Sequence, residues 1–147
     1  MHKAYLQDLL NIVCPKVVFL PEIWVPYHNQ CLLDNFLLDF SFKIATPEMF
    51  QHNEEKLMNS GQTWHGAAIG WHQERNSKIS FPETNQERFI GIKLKLASGD
   101  SSLLLISFYA PTSGHDDDFF ESVALLTEYI HANSRQGDQV VIGTDSN

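Results

Sequence analysis

Residues 88–108 constrain the fold more than any other stretch. Within 88–96, Ile90, Ile92, Leu94 and Leu96 fall on one side and Phe89, Gly91, Lys93 and Lys95 on the other, which is the two-residue period of a strand. Residues 97–101 contain Ser98-Gly99-Asp100, which is hairpin-turn chemistry. Leu103–Phe108 then reads as an apolar run, so its strand is expected to be buried on both faces. A hairpin with one doubly buried strand needs cover above and below it, and this demands a layered architecture. The remaining chain supplies it. A helix is expected over about Lys3–Val13, ended by Cys14-Pro15, and a second over about Asp117–Ser134, with Phe119, Phe120, Val123, Leu126 and Ile130 as its apolar stripe. Asp116, Asp117 and Asp118 sit where the helix dipole favours negative charge.

Further strands are expected at Val17–Leu20, stopped by Pro21, at Ala67–His72, and at Val140–Ile142, a final buried strand with no following element to cover it. Residues 30–60 are ambiguous: Leu32, Leu33, Phe36 and Leu37 fit a short helix, Phe40–Ala45 a weakly alternating strand, and Pro47–Gln62 a polar loop. The order of elements predicts an α/β fold of sheets with helices outside them. A length of 147 residues fits one domain, and 43% apolar with 19% charged residues is a globular composition.

Composition narrows function mainly by exclusion. Ten Lys and Arg against eighteen Asp and Glu give a net charge of −8, which excludes nucleic-acid binding by bulk positive charge. A local basic patch, or an acidic site that collects metal ions, remains open. No apolar run is long enough to cross a membrane, and no signal-type stretch follows Met1. Cys14 and Cys31 match no zinc spacing and read as reduced, buried and intracellular. The seven histidines form no metal motif, and His65 and His72, flanking a strand, read as surface residues. No glycine-rich phosphate loop of the Gly-x-x-x-x-Gly-Lys type occurs.

Three apolar strands each lead to a functional group. Val17–Leu20 leads to Glu22, Leu103–Phe108 to Tyr109, and Val140–Ile142 to Asp145 and Asn147. Asp145 and Asn147 are spaced i, i+2, which points both side chains to one side of a continuing strand. A carboxylate and an amide oxygen there suit a hard cation; Mg²⁺ keeps several waters and needs only one or two carboxylates. Alone, each residue has an ordinary reading: a solvated Glu, a half-buried Tyr with a wet hydroxyl, polar turn residues.

Their order adds specificity. Phe19-Leu20-Pro21-Glu22-Ile23-Trp24, then His65-Gly66-Ala67-Ala68-Ile69-Gly70, then Arg88 opening a strand, then Ser107-Phe108-Tyr109-Ala110-Pro111, and last Val141-Ile142-Gly143-Thr144-Asp145-Ser146-Asn147 follow one another along the chain. This series resembles the endonuclease/exonuclease/phosphatase family, and within it the apurinic-type endonuclease domain of non-LTR, LINE-like retrotransposons. The resemblance runs from about residue 3 to residue 147 and covers part of the family's domain. It departs from the family's pattern at Pro21, Ile23, Thr144 and Ser146. It implies a DNase I-like four-layer fold, a two-sheet sandwich flanked by helices. It also implies that 1–147 is a partial domain, incomplete at both ends, without the opening strand and the C-terminal Asp-His segment.

By the same resemblance, Glu22 is a metal ligand, Tyr109 contacts the scissile phosphate, Asp145 orients or activates the attacking water, and Asn147 holds the phosphate or the metal shell. The implied cofactor is Mg²⁺, with Mn²⁺ as the substitute. The implied activity is DNA nicking, with little or no activity expected of this chain alone. DNA is the implied partner, together with the reverse transcriptase region of a retroelement polyprotein, in a parent protein located in the nucleus. Lys93, Lys95, Arg75 and Lys78 are the cations from which a DNA grip would come, and the uncovered late strand is an edge for self-association. Two other functions fit the same residues: a phosphatase or phosphodiesterase for small molecules or phospholipids, and a non-catalytic remnant acting as a binding module.

Overall fold

A computed structural model of the chain describes residues 13, 15–23, 33, 37, 39–45, 66–84, 86–97, 100–111 and 116–145. Two sheets pack face to face. The first holds β1 (Val17–Ile23), β2 (Phe40–Ile44) and β3 (Gly66–His72) in the antiparallel order β1-β3-β2. The second holds β4 (Ile79–Ser80), β5 (Phe89–Lys95), β6 (Ser102–Tyr109) and β7 (Gln139–Asp145) in the order β4-β5-β6-β7. β5 and β6 form the expected hairpin, while β6 and β7 run parallel and are joined through helix α1 (Asp116–Asn133). A short 3-10 helix, Gln73–Lys78, follows β3.

Alternation along the strands builds three apolar layers. Ala67, Ile69 and Trp71 of β3 meet Ile90 and Ile92 of β5 and Leu105 of β6 between the sheets. The opposite side of β5 and β6 offers Phe89, Leu104, Ile106 and Phe108 to Leu126 and Tyr129 of α1. The outer face of the first sheet buries Ala68, Phe40 and Phe42 with Leu33 and Leu37. The strand 102–109 is thus buried on both faces, and the layered expectation holds. Gly91 admits Tyr129: a Cβ there would lie 3.1 Å from its Cε1. Gly70 does the same for Phe42, whose Cδ1 would be 2.8 Å away.

Several sequence expectations are corrected. Pro21 does not stop β1; the strand continues through Glu22 to Ile23, with a register shift between Leu20 and Ile23. β1 lies at a sheet edge, where a bulge tolerates the missing proline N–H. β7 is not a buried strand: Val140, Val141 and Ile142 are 37%, 43% and 41% exposed, because β7 too is an edge. Phe119 and Phe120 leave the predicted helix stripe and are exposed, while Ser122, Leu126 and Tyr129 face the sheet. His72 is only partly exposed; its Nδ1 accepts from the Glu74 N–H at 3.4 Å and its ring meets the Phe40 ring edge-on. The expected opening helix lies outside the described residues except for Val13, which is helical, and so do the polar stretch 47–62, both cysteines, His65 and Asn147.

Tyr129 carries a buried hydroxyl that finds no hydrogen-bond partner among the described residues and is held against the Gly91 backbone. Burial pushes its pKa up to about 12. The native state therefore keeps a proton that the unfolded chain releases first. This contribution is complete below about pH 10 and disappears as pH climbs to about 12. Tyr129→Phe removes the orphaned hydroxyl and is expected to raise stability by about 1 kcal/mol. Urea unfolding at neutral and alkaline pH checks both points: the variant should gain at neutral pH and lose less on the alkaline limb.

Candidate active site

The sequence-chosen residues stand on different strands, and backbone contacts fix where those strands end. Ile23, the last residue of β1, faces Gly66, the first of β3. The Ala67 N–H donates to the Glu87 carbonyl at 3.4 Å, which ties that corner to the entry of β5. The Tyr109 N–H donates to the Arg88 carbonyl at 2.7 Å, so the end of β6 closes on the same entry. Tyr109 is in parallel register with Asp145. The contacts run without a break from Glu22-Ile23 through Gly66-Ala67, Glu87-Arg88 and Tyr109 to Asp145. Glu22, Tyr109 and Asp145 therefore share one end of the sandwich, although they are far apart in sequence.

The spacing between the sheets at this end is set by Gly143 and Phe19. A Cβ on Gly143 would lie 2.5 Å from the Phe19 Cβ and 2.9 Å from its Cδ1. Glycine thus lets β1 settle directly on β7, bringing the Glu22 strand onto the Asp145 strand. Alternation places Ser107 on the inner face beside this contact. It pairs in register with Ile90 and Gly143, is fully buried, and its Oγ has no hydrogen-bond partner among the described residues.

Glu22 and Asp145 are oxygen donors of the kind Mg²⁺ prefers, and such an ion needs only one or two carboxylates. Among the described residues no three His, Cys, Asp or Glu side chains come together. A closed tetrahedral zinc cage therefore finds no ligand set there, whereas the donor chemistry of Glu22 and Asp145 fits a hard ion.

Arg88 is the residue that sequence reasoning undervalued. Its guanidinium carbon sits 5.7 Å from the Tyr109 ring centroid, a cation–π arrangement that puts a positive charge at the shared end. The signal available was its place as the opening residue of the alternating strand.

The four cations expected to grip DNA are elsewhere. Arg75 and Lys78 belong to the 3-10 helix beyond the last residue of β3, and Lys95 ends β5; all three lie at the opposite end of the strands. Lys93 is committed. Its Nζ donates to the Asp138 carboxylate at 2.7 Å and to the Asn133 carbonyl at 2.9 Å, capping the last turn of α1. The same carboxylate accepts from the Ser102 and Arg135 N–H groups at 2.7 and 2.9 Å. Gly137, at φ +95°, makes the turn that delivers Asp138. The Lys93 bond, then the Arg135 and Ser102 amides, hold the Asp138 carboxyl down at about 2.

A depressed carboxyl contributes stability above its unfolded value near 4, and that contribution is lost as pH falls to about 2. Asp138→Asn should lower the urea midpoint at neutral pH and flatten its fall across this window. A variant whose acid limb tracks that of the parent would contradict the assignment.

No family model and no curated protein matches the chain. Solved structures do. The AP endonuclease LMAP from Leishmania major superposes with a TM-score of 0.67 at 13% identity, over 97% of this chain and 49% of that one. A humanized D. rerio TDP2 gives 0.61 at 15% identity, over 97% and 54%. The endonuclease domain of TRAS1, a telomere-specific non-LTR retrotransposon, gives 0.60 at 11% identity, over 99% and 52%. Another D. rerio TDP2 structure holds a single-strand DNA product. The chain spans about half the length of these structures. The likeness is one of fold: the chain carries the two-sheet part of the DNase I-like fold that these structures share.

Proposed function

We propose that this chain is part of a Mg²⁺-dependent phosphodiesterase that nicks DNA, in the manner of a LINE-like retroelement endonuclease. The observation that carries the reading is the common end of β1, β6 and β7, where Glu22, Tyr109 and Asp145 follow from three separate strand ends. Similarity to the TRAS1 endonuclease domain and to DNA-processing nucleases supports the DNA substrate.

In this reading Glu22 and Asp145 would hold the metal, which when bound supplies Lewis acidity and charge neutralisation on the phosphate. The Asp145 carboxylate orients the attacking water and accepts its proton. The Tyr109 hydroxyl donates to a phosphate oxygen, with Arg88 behind its ring adding positive charge. Asn147, two residues beyond Asp145, holds the phosphate through its amide. Positioning and fixed charge supply most of the rate. The reverse transcriptase region of the same polyprotein and a nuclear location belong to this proposal.

Metal titration followed by amide NMR tests the site without requiring turnover. Mn²⁺ is expected to broaden the signals of Ile23, Tyr109 and Asp145 and to spare Lys95 and Arg135; Glu22→Gln should abolish the effect. No broadening, or broadening at the other end, removes the metal from the mechanism. Nicking of supercoiled plasmid by this chain alone is expected to be weak, and robust Mg²⁺-dependent nicking abolished by Asp145→Ala would overturn that expectation.

One observation favours a small-molecule phosphodiesterase instead. The cations assigned to a DNA grip lie at the far end or are already paired, so the described part of the shared end has little beyond Arg88 for a long polyanion. Turnover of an abasic-site duplex against an inositol phosphate or sphingomyelin separates the two.

A further inference from the structure

The end of the sandwich opposite the candidate active site holds an open cleft of about 460 Å³. Ser80 of β4, Lys93 and Lys95 of β5, Ser102 of β6, and Arg135 and Asp138 after α1 line it, with Asp100 at the turn.

Most of the opposite charge in this cleft is already used. The Asp138 side chain is 2% exposed, and its two oxygens accept from Lys93 Nζ and from the Ser102 and Arg135 amides. Three of its roughly four acceptor sites are taken, and none of them by Lys95 or the Arg135 guanidinium. Lys93 also caps the last carbonyls of α1 through Asn133, which offsets the negative end of the helix dipole beside the cleft. Among the described residues neither Lys95 nor the Arg135 guanidinium forms an ion pair. The Ser102 hydroxyl is a further donor on the same wall, since only its amide is engaged by Asp138. Against these stands one unspent anion, Asp100.

In a chain of net charge −8, a concave surface with two unpaired cations and a hydroxyl around a fixed ion pair is an exception to the general field. Contacts through the Asp138 carboxylate fix its shape: the Lys93–Asp138 pair joins β5 to the loop after α1, and the Ser102 amide joins β6 to the same carboxylate. The donors therefore stand on rigid strands and a clamped turn, as a preorganised site requires.

We propose that this cleft binds a phosphate group, taken by the Arg135 guanidinium with Lys95 and the Ser102 hydroxyl. A guanidinium matches two phosphate oxygens at once, and lysine adds a point charge. The volume exceeds that of one phosphate and leaves room for the organic part of a monoester; sites for small molecules have volumes of this order. The site is separate from the candidate active site and independent of the nuclease reading.

The test uses the full chain with inorganic phosphate and ribose 5-phosphate as probes, read by amide NMR and calorimetry. Saturable shifts are expected at Ser80, Ser102 and Arg135, with Tyr109 and Asp145 unmoved. Tighter binding of ribose 5-phosphate identifies a monoester as the ligand; equal affinities identify free phosphate. Arg135→Ala and Lys95→Ala should each weaken binding about tenfold. Asp100→Asn removes the single opposing charge and should tighten inorganic phosphate about threefold. All three residues lie at or near the surface, so these variants should fold. No saturable shift with either probe, shifts confined to the Tyr109 end, or affinities unchanged in both cation variants would overturn the site.

Discussion

Phe89→Ala is expected to remove about 3–5 kcal/mol of stability. Phe89 is 2% exposed and lies between the outer face of the second sheet and α1. Its ring stands 5.2 Å from the Tyr129 ring, and Leu104, Ile106, Phe108 and Leu126 complete the surroundings. The strand below is held in register along its whole length by β6, with Phe89 opposite Phe108, so it has little freedom to close the hole. The neighbouring Gly91 offers no side chain to fill the space. The loss should be focused on helix docking, so hydrogen exchange in α1 should accelerate more than in β3, which belongs to other layers. A loss under about 1 kcal/mol, or uniform acceleration, would mean that the helix is not seated on Phe89.

The sheet behind this prediction was legible in the residues because its pattern is local. Alternation in 88–96 and the apolar run in 103–108 specify strand, face and partner within a few residues, and β5 and β6 follow them closely. Glu22, Tyr109 and Asp145 were chosen from the order of motifs and the family resemblance those motifs carry, and the structure places each at or next to the last residue of its strand. Less was legible where the outcome depends on which strand lies outermost. Val140–Ile142 has the composition of a covered strand, but position at the sheet edge leaves it exposed. Pro21 reads as a terminator, yet on an edge strand with a bulge it continues the element. Charge pairing was hidden altogether: Lys93 and Asp138 are 45 residues apart, and nothing near either one announces the other. The far end of the sandwich thus holds cations that the sequence alone would assign to the nucleic-acid face.

Substitution at Gly143 should have the second large effect, and it tests the geometry on which the functional reading depends. Gly143→Ala places a methyl 2.5 Å from the Cβ of Phe19, an approach that neither strand tolerates. A flexible ring could swing aside, but a Cβ is fixed to its backbone, so β1 must withdraw from β7. The expected cost is about 1–3 kcal/mol, typical of an overpacked interior. Phe19→Ala in the same chain should restore only part of it, because the offending Cβ of residue 19 remains. The consequence at the shared end is more specific than the loss of stability. Glu22 lies three residues beyond Phe19 and Asp145 two beyond Gly143, so separating the strands separates the two carboxylates. Mn²⁺ broadening at Ile23 and Asp145 should therefore weaken together in folded Gly143→Ala protein, while the phosphate response at Arg135 stays as in the parent. Unchanged stability and unchanged broadening would show that β1 and β7 do not meet at this glycine, and the carboxylates at 22 and 145 would lose their common support.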